Sequence, residues 1–454
     1  MLGGSRAVLL GAGAAGQGQP QTPVGPIEPI NGSAEQIAIS VGSSPRQIWI
    51  GAGWGCGGTS HAAGTTSLVS AHEAQLFTEL NTKVIRVHNP QTASFVSAYK
   101  PICDIAVSRG VDTILATGYV AAAGSTPTAL ANAIDAAVDA GIPITHCSLQ
   151  NEPDGNPNNE MANNDIVPWH SELRDRLDTL GRQAVKIIAL EWAHFPNSGS
   201  SRGSTEFDLL DAAGLAGPGE AVFAGAGHCY RDCPAPAGYD DRWLTVGSAL
   251  WSCETGNAGS PNAQARFAAA LNHGAAVEIF HIGQSNSSSD GDLSQKLVQH
   301  NGTRQPYQPA YGVISRALQR GTVFRLCTSD DRPSGLPVTT ADRMIRDSSS
   351  QFNPRIQVAA GRRIDGRWSI VAVNATQGAS DNPTSFFNGS YKAATLQMTV
   401  TVAELVGLDR TFAAERASSG GTLSGPSTVN LKNGVTRFTL SAGETISLVQ
   451  NPGT

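Results

Sequence analysis

Between about residue 36 and residue 319, short apolar runs alternate with stretches of helical spacing. The runs are Gln47–Ile50, Val84–Val87, Thr113–Ala116, Ile144–Leu149, Lys186–Leu190, Ala221–Ala224, Ser248–Trp251 and Val277–His281. Several are apolar at consecutive positions, as strands covered on both faces of a parallel sheet must be. The clearest helix between them is Thr126–Ala140. Thr126 can cap its start, Pro127 suits the first turn and Gly141 can end it. Leu130, Ile134, Ala137 and Val138 recur there with helical spacing. Gln308–Gln319 repeats the pattern, with Ala310, Val313, Ile314, Ala317 and Leu318 on one face. Eight strands, each followed by a helix, within roughly 250 residues match the count and size of a (β/α)8 TIM barrel. An open doubly wound sheet has the same periodicity and is the alternative.

After Arg320 the period changes. Thr322–Leu326, Arg355–Ala359, Trp368–Asn374, Leu396–Val402, Thr411–Glu415, Val435–Leu440 and Thr445–Val449 are β-rich runs separated by Gly, Asn, Asp and Ser. Only a turn near Ala403–Leu405 reads as helical in this part. The pattern predicts a small antiparallel β-sandwich. Gln36–Val41 is strand-like, precedes the barrel and is a candidate to pair with that sandwich. The expected organisation is a leader over 1–30, an N-terminal strand segment over 31–46, a (β/α)8 barrel over 47–321 and a β-sandwich over 322–454.

Composition narrows the function classes. Charged residues are 15 % of the 454, and the net charge is −6. With no basic run to meet phosphates, nucleic acid is not an expected partner. No apolar stretch approaches the roughly 20 residues of a membrane-spanning helix, so a membrane is not expected either. The first 30 residues are rich in Gly, Gln and Pro, with one apolar run at Ala7–Leu10. They read equally as a weak secretory signal and as a disordered leader. The low-charge, Gly/Ser/Asn-rich composition favours secretion. The seven cysteines are odd in number, so at least one lies outside any intrachain bridge, and their spacings match no zinc motif. Cys229 and Cys233 are close enough to staple a loop, although spacing alone does not establish a bridge. Five Asn-x-Ser/Thr sequons stand at Asn31, Asn286, Asn301, Asn374 and Asn388.

Two glycine motifs match G-x-G-x-x-G, at residues 11–16 and 53–58. A dinucleotide site needs a helix to open there and hold the pyrophosphate on its N-terminus. A Pro-rich stretch follows the first, and the strand after the second ends in His88-Asn89, with no carboxylate for a ribose. The second reads as a tight turn that lets backbone approach a neighbour. The stronger signal is Ser148-Leu149-Gln150-Asn151-Glu152-Pro153-Asp154, directly after the fourth strand. Residues at the C-terminal ends of barrel strands face the active site. A second carboxylate, Glu254, follows the seventh strand in Trp251-Ser252-Cys253-Glu254-Thr255-Gly256. Two carboxylates facing one another are what a retaining glycosidase needs.

These pieces, with Gly227-His228-Cys229-Tyr230 and the opening Gln47-Ile48-Trp49-Ile50-Gly51-Ala52-Gly53-Trp54-Gly55, resemble glycoside hydrolase family 30, within the large clan of retaining (β/α)8 hydrolases. The likeness spans roughly residues 36–450 and includes the side β-sandwich. It implies a retaining β-glycoside hydrolase acting on a β-linked oligo- or polysaccharide, with Glu152 as acid/base and Glu254 as nucleophile. Asn151 would bind the sugar 2-hydroxyl and Arg86 would sit beside Glu254, keeping it ionised. His228 and Tyr230 would orient Glu254, although His228 also fits as a structural histidine. The chain departs from the clan where a Trp usually ends the eighth strand, since it has Phe280-His281-Ile282-Gly283-Gln284 there. The sugar platform would then come from Tyr119, Trp54 or Trp192, each of which fits equally as a packing residue. No cofactor and no metal are implied, and the expected partner is a carbohydrate bound by a monomer. A carbohydrate-binding protein that keeps the fold without turnover is the alternative, and the presence of both Glu residues argues against it.

Overall fold

The computed structural model describes residues 24–120, 124–153, 161–193, 202–229, 239–256, 263–287, 295–330, 355–376 and 392–453. The first strand, β1 (Glu35–Ile48), is followed by eight strands that form a barrel. These are β2 (Gly51–Gly55), β3 (Val84–His88), β4 (Thr113–Thr117), β5 (His146–Ser148), β6 (Lys186–Ile188), β7 (Val222–His228), β8 (Leu250–Thr255) and β9 (Ala275–Phe280). They pair in sequence order, all parallel, and β9 returns to β2 to close the ring. Closure excludes the open doubly wound alternative. It also brings the C-terminal ends of all eight strands to one rim.

The helices between them include α1 (Thr59–Ala71), α2 (Phe95–Ser108), α3 (Pro127–Asp139), α4 (Asn163–Thr179), α5 (Arg202–Ala212), α6 (Tyr239–Thr245), α7 (Ala263–Asn272) and α8 (Tyr307–Ala317). At the start of α3 the Thr126 hydroxyl accepts from the Ala129 N–H at 3.1 Å, and Pro127 occupies the first turn. That satisfies one of the donors a helix start leaves unpaired. The Gly53–Gly58 segment is not a cofactor turn. A β-carbon at Gly53 would collide with the Val84 carbonyl, and one at Gly55 with that of His281. These glycines allow the first barrel strand to lie against its neighbours.

A short parallel pair, β10 (Ile282–Gln284) with β11 (Lys296–Val298), follows the barrel. The rest of the chain forms a second closed sheet with β12 (Val323–Ser329), β13 (Ile356–Arg362), β14 (Trp368–Asn374), β15 (Leu396–Val402), β16 (Arg410–Ala417), β17 (Leu423–Lys432), β18 (Val435–Leu440) and β19 (Thr445–Gln450). Its nine strands run in the order β1-β12-β13-β14-β19-β16-β17-β18-β15. Neighbours pair antiparallel except β1 with β15, which run parallel, so the sheet is mixed and not purely antiparallel. β17 has no counterpart among the sequence-predicted strands. It carries Gly425-Pro426 and six exposed residues at its start, which read as turn. Pro426 is accommodated because the register with β16 shifts there, between Ala414 and Arg416.

The two sheets enclose α7, every residue of which is buried. The Asn272 side chain donates to the Cys327 carbonyl at 2.9 Å and accepts from the Cys327 N–H at 2.7 Å. On α8, the Ala317 carbonyl accepts from the Ser369 hydroxyl at 2.7 Å. The second sheet therefore braces the last two helices of the barrel.

Candidate active site

A cluster of polar side chains gathers at the C-terminal rim of the barrel. Arg86 and His88 come from β3, Thr117 from β4 and Ser148 from β5. Asn151 and Glu152 follow β5, Glu191 follows β6, His228 ends β7, Glu254 lies on β8 and His281 follows β9.

Arg86 is the hub. It is fully buried, and its planar fork is spent in five directions. Nε donates to the Thr117 hydroxyl at 2.9 Å. Nη1 donates to Glu254 Oε2 at 2.9 Å and lies 3.2 Å from His88 Nε2. Nη2 donates to Asn151 Oδ1 at 2.6 Å and pairs with Glu191 Oε2 at 2.6 Å. Burial opposes its charge, but Glu191 and Glu254 outweigh burial and hold the guanidinium protonated.

Glu254 is buried, which raises the pKa of a carboxyl. The charges of His281, His228 and Arg86 outweigh this and hold it well below the usual carboxylate range. Its Oε2 meets Arg86 and, at 3.3 Å, His228 Nε2. Its Oε1 lies 2.7 Å from His281 Nε2, and the other nitrogen of that ring is 2.9 Å from Gln295 Oε1. Glu152 has its side chain 37 % exposed, at the cavity. Its backbone is left-handed (φ 46°), a conformation costly for any residue with a β-carbon. A 2.7 Å hydrogen bond from its N–H to the Glu191 carbonyl holds it there. One oxygen of Glu152, one oxygen of Glu254 and a ring nitrogen of His228 lie within 4.8 Å of one another.

His228 joins the two acids, with Nδ1 3.0 Å from Glu152 Oε1 and Nε2 facing Glu254. Burial lowers its pKa, but the carboxylates of Glu254, Glu152 and Glu191 outweigh this and raise it to about 9. This favours the imidazolium, which carries a hydrogen on each ring nitrogen. Glu191, which sequence motifs did not single out, is a third acid of the site and is fully buried. It accepts from Thr117 Oγ1 at 2.7 Å and from the Ser148 hydroxyl. Burial pushes it up, yet Arg86 and His228 bring it down to about 2.

A cavity of about 590 Å3 lies over these groups, lined in part by Asn151, Glu152, Glu254, His281, His88 and Tyr119. Burial pushes the Tyr119 phenol up to about 12, so it stays neutral. The other two proposed platforms are placed differently. Trp54 is 1 % exposed, packs on Phe77 and gives its indole N–H to the Leu76 carbonyl. Trp192 is 2 % exposed and gives its N–H to Glu206 Oε2 at 2.7 Å. Neither offers a ring face to the cavity, because each indole is consumed in packing behind the strand ends. Tyr230 and Cys233 lie outside the described residues. Cys229 is disulfide-bonded.

No protein-family model and no curated protein sequence matches the chain. Solved structures do. The catalytic domain of the family 30 xylanase C from Talaromyces cellulolyticus is 16 % identical with a TM-score of 0.60, over 92 % of this chain and 100 % of that one. The family 30 subfamily 8 xylanase Xyn30A from Clostridium acetobutylicum is 16 % identical with a TM-score of 0.58, over 92 % and 99 %. A family 44 endoglucanase, Cel44A from Clostridium thermocellum, is 10 % identical with a TM-score of 0.52, over 92 % and 100 %. The protein has the fold of the glycoside hydrolase family 30 catalytic domains, a (β/α)8 barrel with an attached β-sandwich-like sheet.

Proposed function

We propose that the protein is a retaining β-glycoside hydrolase, with Glu254 as nucleophile and Glu152 as acid/base. The observation that carries this reading is that one oxygen of Glu152 and one of Glu254 approach to within 4.8 Å at the barrel rim, which supports a short separation of the two carboxyls. Retaining glycosidases hold their carboxyls about 5–5.5 Å apart, whereas inverting ones leave about 6.5–9.5 Å for a water.

Electrostatics support the division of labour. Glu254 is held ionised, as a nucleophile must be. Glu152 stands at the cavity with its side chain 37 % exposed and its Oε1 3.0 Å from His228 Nδ1, where it can meet a departing oxygen. In the first step Glu254 attacks the anomeric carbon while Glu152 protonates the departing oxygen. In the second, Glu152 takes a proton from water, which displaces Glu254 from the sugar. Asn151, oriented by Arg86, turns its amide hydrogens away from that cation and is suited to hold a sugar hydroxyl.

The similar structures are those of xylanases and an endoglucanase, which supports a β-linked polysaccharide or oligosaccharide as substrate. The Cys229 disulfide supports a secreted protein, since such bonds persist in oxidising compartments. The reading assumes a monomer that works without cofactor or metal. It is tested by incubating the protein with aryl β-glycosides and with β-glucans, galactans and xylans. Turnover is expected on at least one, with Glu254→Ala lowering it roughly 10^4-fold or more. Added azide should restore part of the variant's rate as a glycosyl azide. A variant with wild-type rates overturns the nucleophile assignment.

A further inference from the structure

His88 stands two residues beyond Arg86 on β3, so strand alternation turns both side chains into the barrel, with His88 nearer the mouth. Arg86 Nη1 lies 3.2 Å from His88 Nε2. A guanidinium has five donors, no acceptor and no accessible deprotonated form. Nε2 must therefore accept, and the ring hydrogen sits on Nδ1. Burial, reinforced by the Arg86 charge, brings the imidazole down to about 3, so the ring stays neutral and keeps that tautomer. Among the described residues no hydrogen bond reaches Nδ1. Yet His88 lines the cavity with both carboxylates and is only 8 % exposed. A nearly buried donor without a protein partner is costly unless a ligand or water supplies the acceptor.

We infer that His88 is a substrate-binding residue whose Nδ1–H donates to a hydroxyl oxygen of the sugar beside Glu254. This rests on the glycosidase reading. Arg86 sets two donors at once, because it also fixes the Asn151 amide by taking its oxygen. Asn151 and His88 meet Arg86 at different atoms, Nη2 and Nη1. The ligand class is a glycoside that keeps a free hydroxyl at the His88 position. A site built to pair a hydroxyl discriminates strongly against the analogue that lacks it.

The test compares wild type, His88→Phe and His88→Asn on the 4-nitrophenyl β-glycoside that wild type turns over best and on its monodeoxy analogues. Phe keeps the ring and removes the donor, whereas Asn places an amide N–H near Nδ1. For wild type, one deoxy position besides the 2-position should lower kcat/KM by roughly 10–100-fold. For His88→Phe the parent substrate should lose a similar factor, and that deoxy analogue should lose almost nothing further. His88→Asn should recover part of both effects. His88→Ala removes the donor a second way, so the comparison does not depend on the folding of one variant. A uniform loss on parent and all analogues, or no loss, overturns the His88 role while leaving the glycosidase reading intact. If wild type hydrolyses no glycoside or glycan, the parent reading fails and the His88 role falls with it.

Discussion

The residues of this site act through one another. Arg86 carries a buried charge that two carboxylates stabilise, and in return it sets the ionisation of Glu254, the amide of Asn151 and the tautomer of His88. His228 performs the complementary task between Glu152 and Glu254. Its raised pKa, about 9, has a kinetic consequence. Below that value both ring nitrogens carry a hydrogen, and above it one turns a lone pair toward a carboxylate. A 2,4-dinitrophenyl β-glycoside isolates this effect, because its leaving group departs without a proton from Glu152. Its kcat/KM should hold level through neutral pH and fall along an alkaline limb with an apparent pKa near 9. In His228→Gln that limb should vanish and the plateau should lie lower. A limb unchanged in the variant would assign the titration elsewhere.

Motifs brought Glu152 and Glu254 into view because each stands just beyond an apolar run. The same signal was present for Glu191, His88 and His281, each at or just beyond the end of a barrel strand. Sequence spacing does not report distances across a barrel, and a lone acid or imidazole without neighbouring motif residues carries no mark of its partners. The contact of His281 with Glu254 therefore becomes visible only once β8 and β9 lie side by side.

At the scale of elements, apolar runs and caps were legible because they follow local rules. The Thr126 cap and the buried strands are set by hydrogen bonding and by coverage on both faces. β17 was not legible, since its exposed Gly-Pro-Ser start has turn composition and is held in the sheet by its neighbours β16 and β18. The aromatic residues were ambiguous for a similar reason. A Trp at a strand end looks alike whether it faces a sugar or the helices outside. Trp54 is of the second kind, packed on Phe77 with its indole N–H on the Leu76 carbonyl. Trp54→Ala should cost about 3–5 kcal/mol in unfolding free energy, the usual price of emptying a large aromatic site. Trp54→Phe should cost less, and its KM should stay at the wild-type value under conditions where the protein is folded. A rise in KM for Trp54→Phe without loss of stability would restore it as a stacking platform.

For the whole molecule, the decisive property is closure. Glu152 follows the fourth barrel strand and Glu254 lies on the seventh, about a hundred residues apart in sequence. Parallel pairing puts the strand ends on one edge, closure turns that edge into a rim around one site, and the second sheet braces the ring by enclosing α7 and bonding it to Cys327. Part of that sheet begins before the barrel, in β1, which pairs with β12 and β15 of the later chain. If the protein is the retaining hydrolase proposed above, its reaction follows one stereochemical course. Proton NMR of the first sugar released from an aryl β-glycoside reads that course directly, before mutarotation mixes the anomers. The β-anomer should appear first, by two displacements through Glu254. Initial release of the α-anomer would mean a single displacement and would contradict the account.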